Sequence, residues 1–434
     1  MKAIRKLALF IIGIFILMLW SGIVRNVTLG QRTLGPLTQP IKSFSELPSN
    51  MKAAYNHFLV APEYYLKTRE ADKEDINKLT YDLYGSYTYR NGNEFKIELK
   101  NFRTNDIIKT WSLPVEYLSQ HHKVGQNDRL FPAKLMKDRG LIVACDEQPG
   151  LIRLDSASNV VWHNKDFIVH HGMSFDHKGN IWTPAVKHED GIIVPNTLSV
   201  DGTKIDYRDD MVLNVDANTG KTLYSKSLTS IFKENDLTEL LNKGSLVTDP
   251  FHLNDVQPVV ADSSRHFNKG DVFLSFRHLS AILQFRPSTG KVIKVIEGPF
   301  TYQHDVDIVT DSTIALFNNN TVGLDIKYNK FEFKPSNDVI QRKIVHSNVL
   351  IYNFETDSFE ALYEKEFIKN EIYTEAEGLY ELLPNGDLFV EEQGPGVLWV
   401  LNKNGVVLKT TLKSDIEGYH YLPNWTSIYT DINF

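Results

Sequence analysis

The 434-residue chain has a single cysteine, Cys145, so no disulfide can form within it. Stability therefore has to come from a buried core, and the length is ample for one. An excess of basic charge is also lacking. The 47 Lys and Arg against 54 Asp and Glu leave a net charge of −7, which excludes the basic field that collects nucleic-acid phosphates. What is present is globular in proportion: 42% hydrophobic and 23% charged residues. Aromatics reach 11%, with 19 Tyr and 24 Phe, which favours strands over helices.

One long apolar run stands at the N-terminus. Lys2, Arg5 and Lys6 precede Leu7–Leu19, which extends through Trp20 to Val24. A run of about 18 residues is at the lower limit for crossing a bilayer. Positive charge ahead of it places the N-terminus in the cytoplasm, and no A-x-A-like cleavage site follows. The expectation for 1–24 is an uncleaved single-pass transmembrane anchor, with the rest of the chain on the periplasmic or extracytoplasmic face. A cleaved signal peptide is the alternative. Pro36, Pro40 and Pro48 mark 25–79 as linker and short N-terminal segment, with a helical tendency around Arg69–Leu79.

From about residue 80 the pattern is all-β. Short alternating runs are separated by turn residues, and a unit of about 40–55 residues recurs. Its turn between third and fourth strands is visible at Asn218-Thr219-Gly220-Lys221, Ser288-Thr289-Gly290-Lys291 and Lys403-Asn404-Gly405. Four-stranded repeats of that length are propeller blades. Starts near residues 80, 131, 171, 252, 304 and 377 give a six-bladed β-propeller over 80–434. The last stretch, YHYLPNWTSIYT, is placed to close the ring against the first blade. Two insertions, 188–210 and 228–249, interrupt the repeat, and the first of them extends the third blade. The second shows an amphipathic helix pattern at Ile231, Phe232, Leu237, Leu240 and Leu241.

In a propeller the first strand of each blade lines the central channel, so residues at the starts of those strands converge. His171, His252, His304 and Glu377 hold equivalent places, with Asp255 and Asp305 close by. Arg277 falls on the next strand of the fourth blade. Its neighbour His278 is expected to face away, because side chains alternate along a strand. Which of His170 and His171 faces inward is open. Of Glu391, Glu392 and Gln393, one is expected in the channel and the others in solvent.

A lone histidine in a strand is usually a structural polar residue, but three at one repeat position are more than coincidence. Neutral imidazole is a nucleophile and a base near neutral pH. A buried guanidinium needs an anion. Together they fit transfer of a sulfuryl or phosphoryl group through a histidine. Three His and a carboxylate also make a plausible metal site. An arginine aimed at the same point repels a cation, which favours the anion and no metal.

The segments HHGMSFDHKGNIW, HLNDVQPV, SFRHLSAI and QHDVDIV resemble those of the bacterial arylsulfate sulfotransferases, shorter branch, over roughly residues 130–410. The resemblance implies a six-bladed periplasmic propeller that works without a nucleotide donor, metal or cofactor. It implies ping-pong transfer from an aryl sulfate to a phenolic or other hydroxyl acceptor through a sulfated histidine. His304 would be the nucleophile, and His252, Arg277 and His171 would hold the sulfuryl oxygens and assist proton transfer. His170, Asn254, Asp305 and Glu377 are the expected substrate contacts. The rival reading is a non-catalytic propeller, a binding or scaffold module in cell-envelope or polysaccharide assembly, since fold alone decides no function.

Overall fold

The computed structural model describes residues 2–28, 34–38, 40–41, 43–45, 65–121, 128–200, 202–244, 247–321 and 346–432. Parts of the expected linker, 46–64 among them, and residues 322–345 of the fifth repeat lie outside the described residues. The chain divides into two compact units, Met1–Glu63 and Tyr64–Phe434.

In the first unit the helix Lys2–Thr28 carries an apolar stretch, Leu9–Val27, long and apolar enough to cross a membrane. At the α-helical rise its 19 residues span roughly 28 Å, close to a bilayer's hydrocarbon thickness. Leu9, Phe10, Phe15, Leu17 and Trp20 are all exposed, so the helix is apolar around its circumference rather than on one face.

The second unit is built from antiparallel runs of four strands. The first run is Tyr84–Asn91, Glu94–Asn101 and Ile107–Pro114, completed on its inner edge by the C-terminal strand Ser427–Tyr429. Ser427 pairs with Ser86, and Tyr429 with Tyr84. The second run, 130–169, and the third, 174–227, form one eight-stranded sheet, joined where Val169 and Ile168 pair with Ala185 and Val186. The fourth (253–296) and fifth (304–362) are separate four-stranded sheets. The sixth, 379–413, is widened by Tyr419–Tyr421, Tyr65–Lys67 and Ile76–Asn77.

Sequence dictates a division of labour within each run. In the fourth, the middle strands Val272–Phe276 and Ala281–Arg286 are almost wholly buried, because neighbouring runs cover both faces. The outer strand Lys291–Ile296 alternates exposed and covered residues. Apolar clusters fill the spaces between successive runs. Val212 and Trp182 of the third pack on Phe276, Leu274 and Leu283 of the fourth. Tyr87 and Phe102 of the first pack on Phe389, Leu398 and Val400 of the sixth. The inner strands therefore stand side by side, with that of the fifth beside those of the fourth and sixth.

Four of the inner strands are pinned by a carboxylate from the preceding run. Asp210 accepts from Leu253 N, Asp255 from Val306 N, and Asp305 from Tyr380 N, at 2.8, 2.9 and 2.8 Å. Glu391 takes the amides of Trp425 and Thr426, at 3.0 and 2.9 Å, and so fixes the C-terminal strand.

Several expectations need correction. The segment expected to be helical around Arg69–Leu79 has one 3-10 turn, Glu70–Asp72, and then a strand, because buried Asp72 is held by Arg69 and Lys409 against the sixth run. The insertion at 188–210 forms two hairpins. In 228–249 the helix is short, Leu228–Glu234, but Ile231 and Phe232 are buried as the pattern required. Glu391, Glu392 and Gln393 are all buried, none in solvent, since all three hydrogen-bond to main chain.

Glu391→Ala leaves two buried amides without acceptors. At about 1–3 kcal/mol for each, urea unfolding of the full chain in detergent should show a loss of about 2–5 kcal/mol. A loss within error of zero would mean that this carboxylate does not hold the C-terminal strand.

Candidate active site

The entries to four inner strands bend sharply, and the residue at each of these bends sits in the left-handed region. His171, His252, Glu377 and Trp425 have φ of 61, 48, 56 and 51°. For residues with a Cβ this conformation is unfavourable and persists only where the surroundings impose it. It turns these side chains toward one place.

Three imidazoles meet there. The His171 ring lies 5.1 Å from His252 and 6.0 Å from His304, centre to centre. Each has its Nδ1 engaged. That of His304 donates to Asn319 Oδ1 at 2.7 Å, and the Asn319 amide is oriented by donating to the Thr374 and Glu377 carbonyls. That of His252 meets Asp249 Oδ2 at 2.6 Å, and that of His171 meets His170 Nδ1 at 2.8 Å. The Nε2 atoms of His171, His252 and His304 make no hydrogen bond to the described residues. On His304 the donated Nδ1–H leaves the lone pair on Nε2.

Arg277 closes the group. It is 4% exposed and forms no ion pair among the described residues. Its Nη1 donates to His278 Nε2 at 3.0 Å, its plane lies 4.8 Å from the Tyr302 ring centre, and its Nε has no partner. The nearby carboxylate, Glu377, is already held through both oxygens by Arg129, at 2.8 and 3.2 Å. Burial disfavours ionised Glu377, but the Arg129 charge, helped by Arg277, keeps its carboxyl below the ordinary range. The guanidinium of Arg277 is thus left without an anion.

These surroundings set the protonation states. Burial, then the Arg277 charge, push His304 well below the usual imidazole range, against the opposing Asn319 bond. Burial and then the neighbouring histidines do the same for His171. His278 is pushed down to about 4 by burial and by His252.

A metal fits poorly. Among the described residues Asp249, His252 and His278 come close enough to share an ion. Yet His278 Nδ1 donates to the Asp249 carbonyl at 2.6 Å, and its Nε2 accepts from Arg277, so both nitrogens are used. A permanent cation stands beside the would-be ligand.

Other residues fall differently from expectation. His278 faces the cluster, 4.4 Å from the His252 ring, because Arg277 and His278 follow the strand end at Phe276 and strand alternation no longer applies. His170 lies behind His171, with Nε2 3.4 Å from Asp210. Asn254 is buried and donates to the Gln303 carbonyl at 2.6 Å, tying two inner strands. Asp305 turns to Tyr380 N and lines a cavity with Asp255, Asp307 and Glu381, away from the imidazoles.

Trp425 was not expected. Its ring lies 5.6 Å from His171 and 6.4 Å from His304, and it also lines the acidic cavity, so it stands between the two. Gly172 leaves room for it: a Cβ there would lie 3.0 Å from the indole. Counting the repeat to its end places Trp425 where His171 and His252 stand, which was the available signal. Asn319 and Asp249 carried no such signal.

The inner-strand entries of this mostly β chain thus gather imidazoles around a guanidinium that has no carboxylate partner among the described residues. Residues 132–412 match the arylsulfotransferase (ASST) family, and the chain belongs to that family. No curated protein matches it. Among solved structures, a Bacteroides caccae protein of unknown function aligns at 10% identity with TM-score 0.50, covering 80% of this chain and 98% of that one. The WD40 β-propeller domain of Doa1 aligns at 12% identity with TM-score 0.39, covering 82% and 88%. A catalytically inactive virginiamycin B lyase from Staphylococcus aureus aligns at 9% identity with TM-score 0.38, covering 79% and 89%.

Histidine NMR of the full-length protein from about pH 8 to about pH 5 should leave the His304 ring neutral throughout. A midpoint near the ordinary value of about 6.5 would contradict the assigned environment.

Proposed function

We propose that the protein is a membrane-anchored, six-bladed β-propeller that transfers a sulfuryl group from an aryl sulfate to a phenolic or other hydroxyl acceptor through a sulfohistidine at His304. The observation that carries this reading is Arg277, a buried guanidinium with no carboxylate of its own, facing imidazoles whose Nε2 atoms are unengaged. Burying such a charge is costly unless an anion arrives to pair with it. The pairing of the C-terminal strand with the first run supports a closed ring, and the four-strand runs support six blades. Lys2, Arg5 and Lys6 ahead of the apolar helix favour a cytoplasmic N-terminus with the propeller on the extracytoplasmic face.

In the first half-reaction the Nε2 lone pair of His304 attacks sulfur. The N–S bond forms as the S–O bond to the aryl group breaks, and the aryloxide leaves with the electron pair. Arg277 holds sulfuryl oxygens through its free N–H groups, which stabilises charge as it spreads. In the second half an acceptor hydroxyl attacks the same sulfur while His252 Nε2 takes its proton. The S–N electrons return to His304. Asp249, bonded to His252 Nδ1, stabilises the imidazolium so formed, which hands its proton to the next departing aryloxide. His171, kept neutral, contributes to the oxygen pocket. Of the expected substrate contacts, Glu377 sits at the pocket edge and sets Arg129. His170 orients His171, while Asn254 and Asp305 have structural positions.

With a chromogenic aryl sulfate, phenol and chelator present, the full-length protein in detergent should release the chromophore in a phenol-dependent way. His304→Ala should lower turnover by roughly a thousandfold or more. Arg277→Gln should lower it by roughly a hundredfold. Because His304 must be unprotonated to attack and its pKa is depressed, kcat/KM should hold as pH falls through the ordinary imidazole range and drop only below it. Unchanged turnover in His304→Ala would sink the assignment. No turnover of any aryl sulfate, with an anion bound tightly, would favour the binding module.

A further inference from the structure

On the other side of Trp425 the inner strands enclose a second polar compartment, a cavity of about 50 Å³. Asp255, Asp305, Asp307 and Glu381 line it, and one ammonium, Lys134, answers them. Asp255 is occupied on both oxygens by the amides of Val256 and Val306, and Asp305 is engaged by Tyr380 N. Asp307 and Glu381 have no backbone donor among the described residues. Two buried hydroxyls line the same space. Tyr380 is 2% exposed, and its Oη points at the Asp307 carboxylate, helping to hold its ionised form. Ser427 is 5% exposed, and its Oγ has no hydrogen-bond partner among the described residues.

A space with more carboxylates than cations and with an unmet buried hydroxyl does not stay empty. The donors are all oxygen, with no imidazole or thiol, and such a set selects a hard cation. We propose that this compartment binds a hydrated divalent cation, Mg²⁺ or Ca²⁺, with Asp307 and Glu381 as its principal carboxylates. No three carboxylates there lie close enough to share one ion directly, so the ion keeps several of its waters. Those waters reach Tyr380 Oη and Ser427 Oγ. Without the ion, protons take its place. Burial and then mutual repulsion push Asp255 up to about 7, and burial pushes Asp307 up to about 6. The cation ties the inner strands of the first, fifth and sixth runs together, on the opposite side of the indole from the imidazoles. It is a structural ion, independent of the transfer chemistry.

The test is thermal unfolding of the chelator-stripped full-length protein, titrated with MgCl₂ or CaCl₂ against NaCl of equal ionic strength. The expected result is a saturable rise in Tm with the divalent salt. Asp307→Asn, and Asp307→Asn with Glu381→Gln, should need about tenfold or more salt for the same effect. Metal-free, these variants should be at least as stable as the parent, since a repulsive charge is gone, so they can be measured. A rise no greater than with NaCl, or the same rise in the double variant, would overturn the proposal.

Discussion

The site depends on a guanidinium that the protein does not neutralise. Arg277 is buried against Tyr302, and the carboxylate that would pair with it, Glu377, is spent on Arg129. The positive charge is kept, and the surroundings are arranged not to add to it. Burial and the Arg277 charge keep His304 neutral, with its lone pair turned out by Asn319. A protonated His304 would be neither a nucleophile nor a tolerable neighbour for Arg277. The same unpaired charge explains why the Asp249, His252 and His278 grouping is poorly suited to a metal.

That arrangement rests on the inner strands. Carboxylates at 210, 255, 305 and 391 each hold a main-chain amide of the next inner strand. The left-handed backbone at His171, His252, Glu377 and Trp425 then directs those side chains inward. Strain at the bends is borne by buried hydrogen bonds and by the apolar clusters between runs. Trp425 separates the cationic compartment from the carboxylate-lined one, so charges of opposite sign occupy one axis without neutralising each other.

Much of this was legible in the sequence, because a repeat turns distant residues into equivalent ones. His171, His252 and His304 share a place in the repeat, and the structure brings the His252 and His304 rings within about 6 Å of the His171 ring. What misled was carrying strand rules past strand ends. His278 faces the site because the strand stops at Phe276. Asp305 adjoins His304 in sequence, yet it points to the other compartment, at a bulge where its own backbone is left-handed. Glu391, Glu392 and Gln393 look solvated by type but each meets a buried main-chain group, which no local pattern reveals. Trp425 was hidden because its strand joins the first run from the far end of the chain. Asn319 and Asp249 act by contact with a histidine distant or offset in sequence, and contact is a property of the fold.

The most direct test of the central claim is to look for the covalent intermediate. The full-length protein would be incubated with a sulfur-labelled aryl sulfate without acceptor, quenched in alkali, digested and mapped by mass spectrometry. The account predicts one sulfuryl group on His304, formed with a stoichiometric burst of phenol and discharged when an acceptor is added. Transfer that proceeds with no label on the protein, or with the label on another residue, would contradict it.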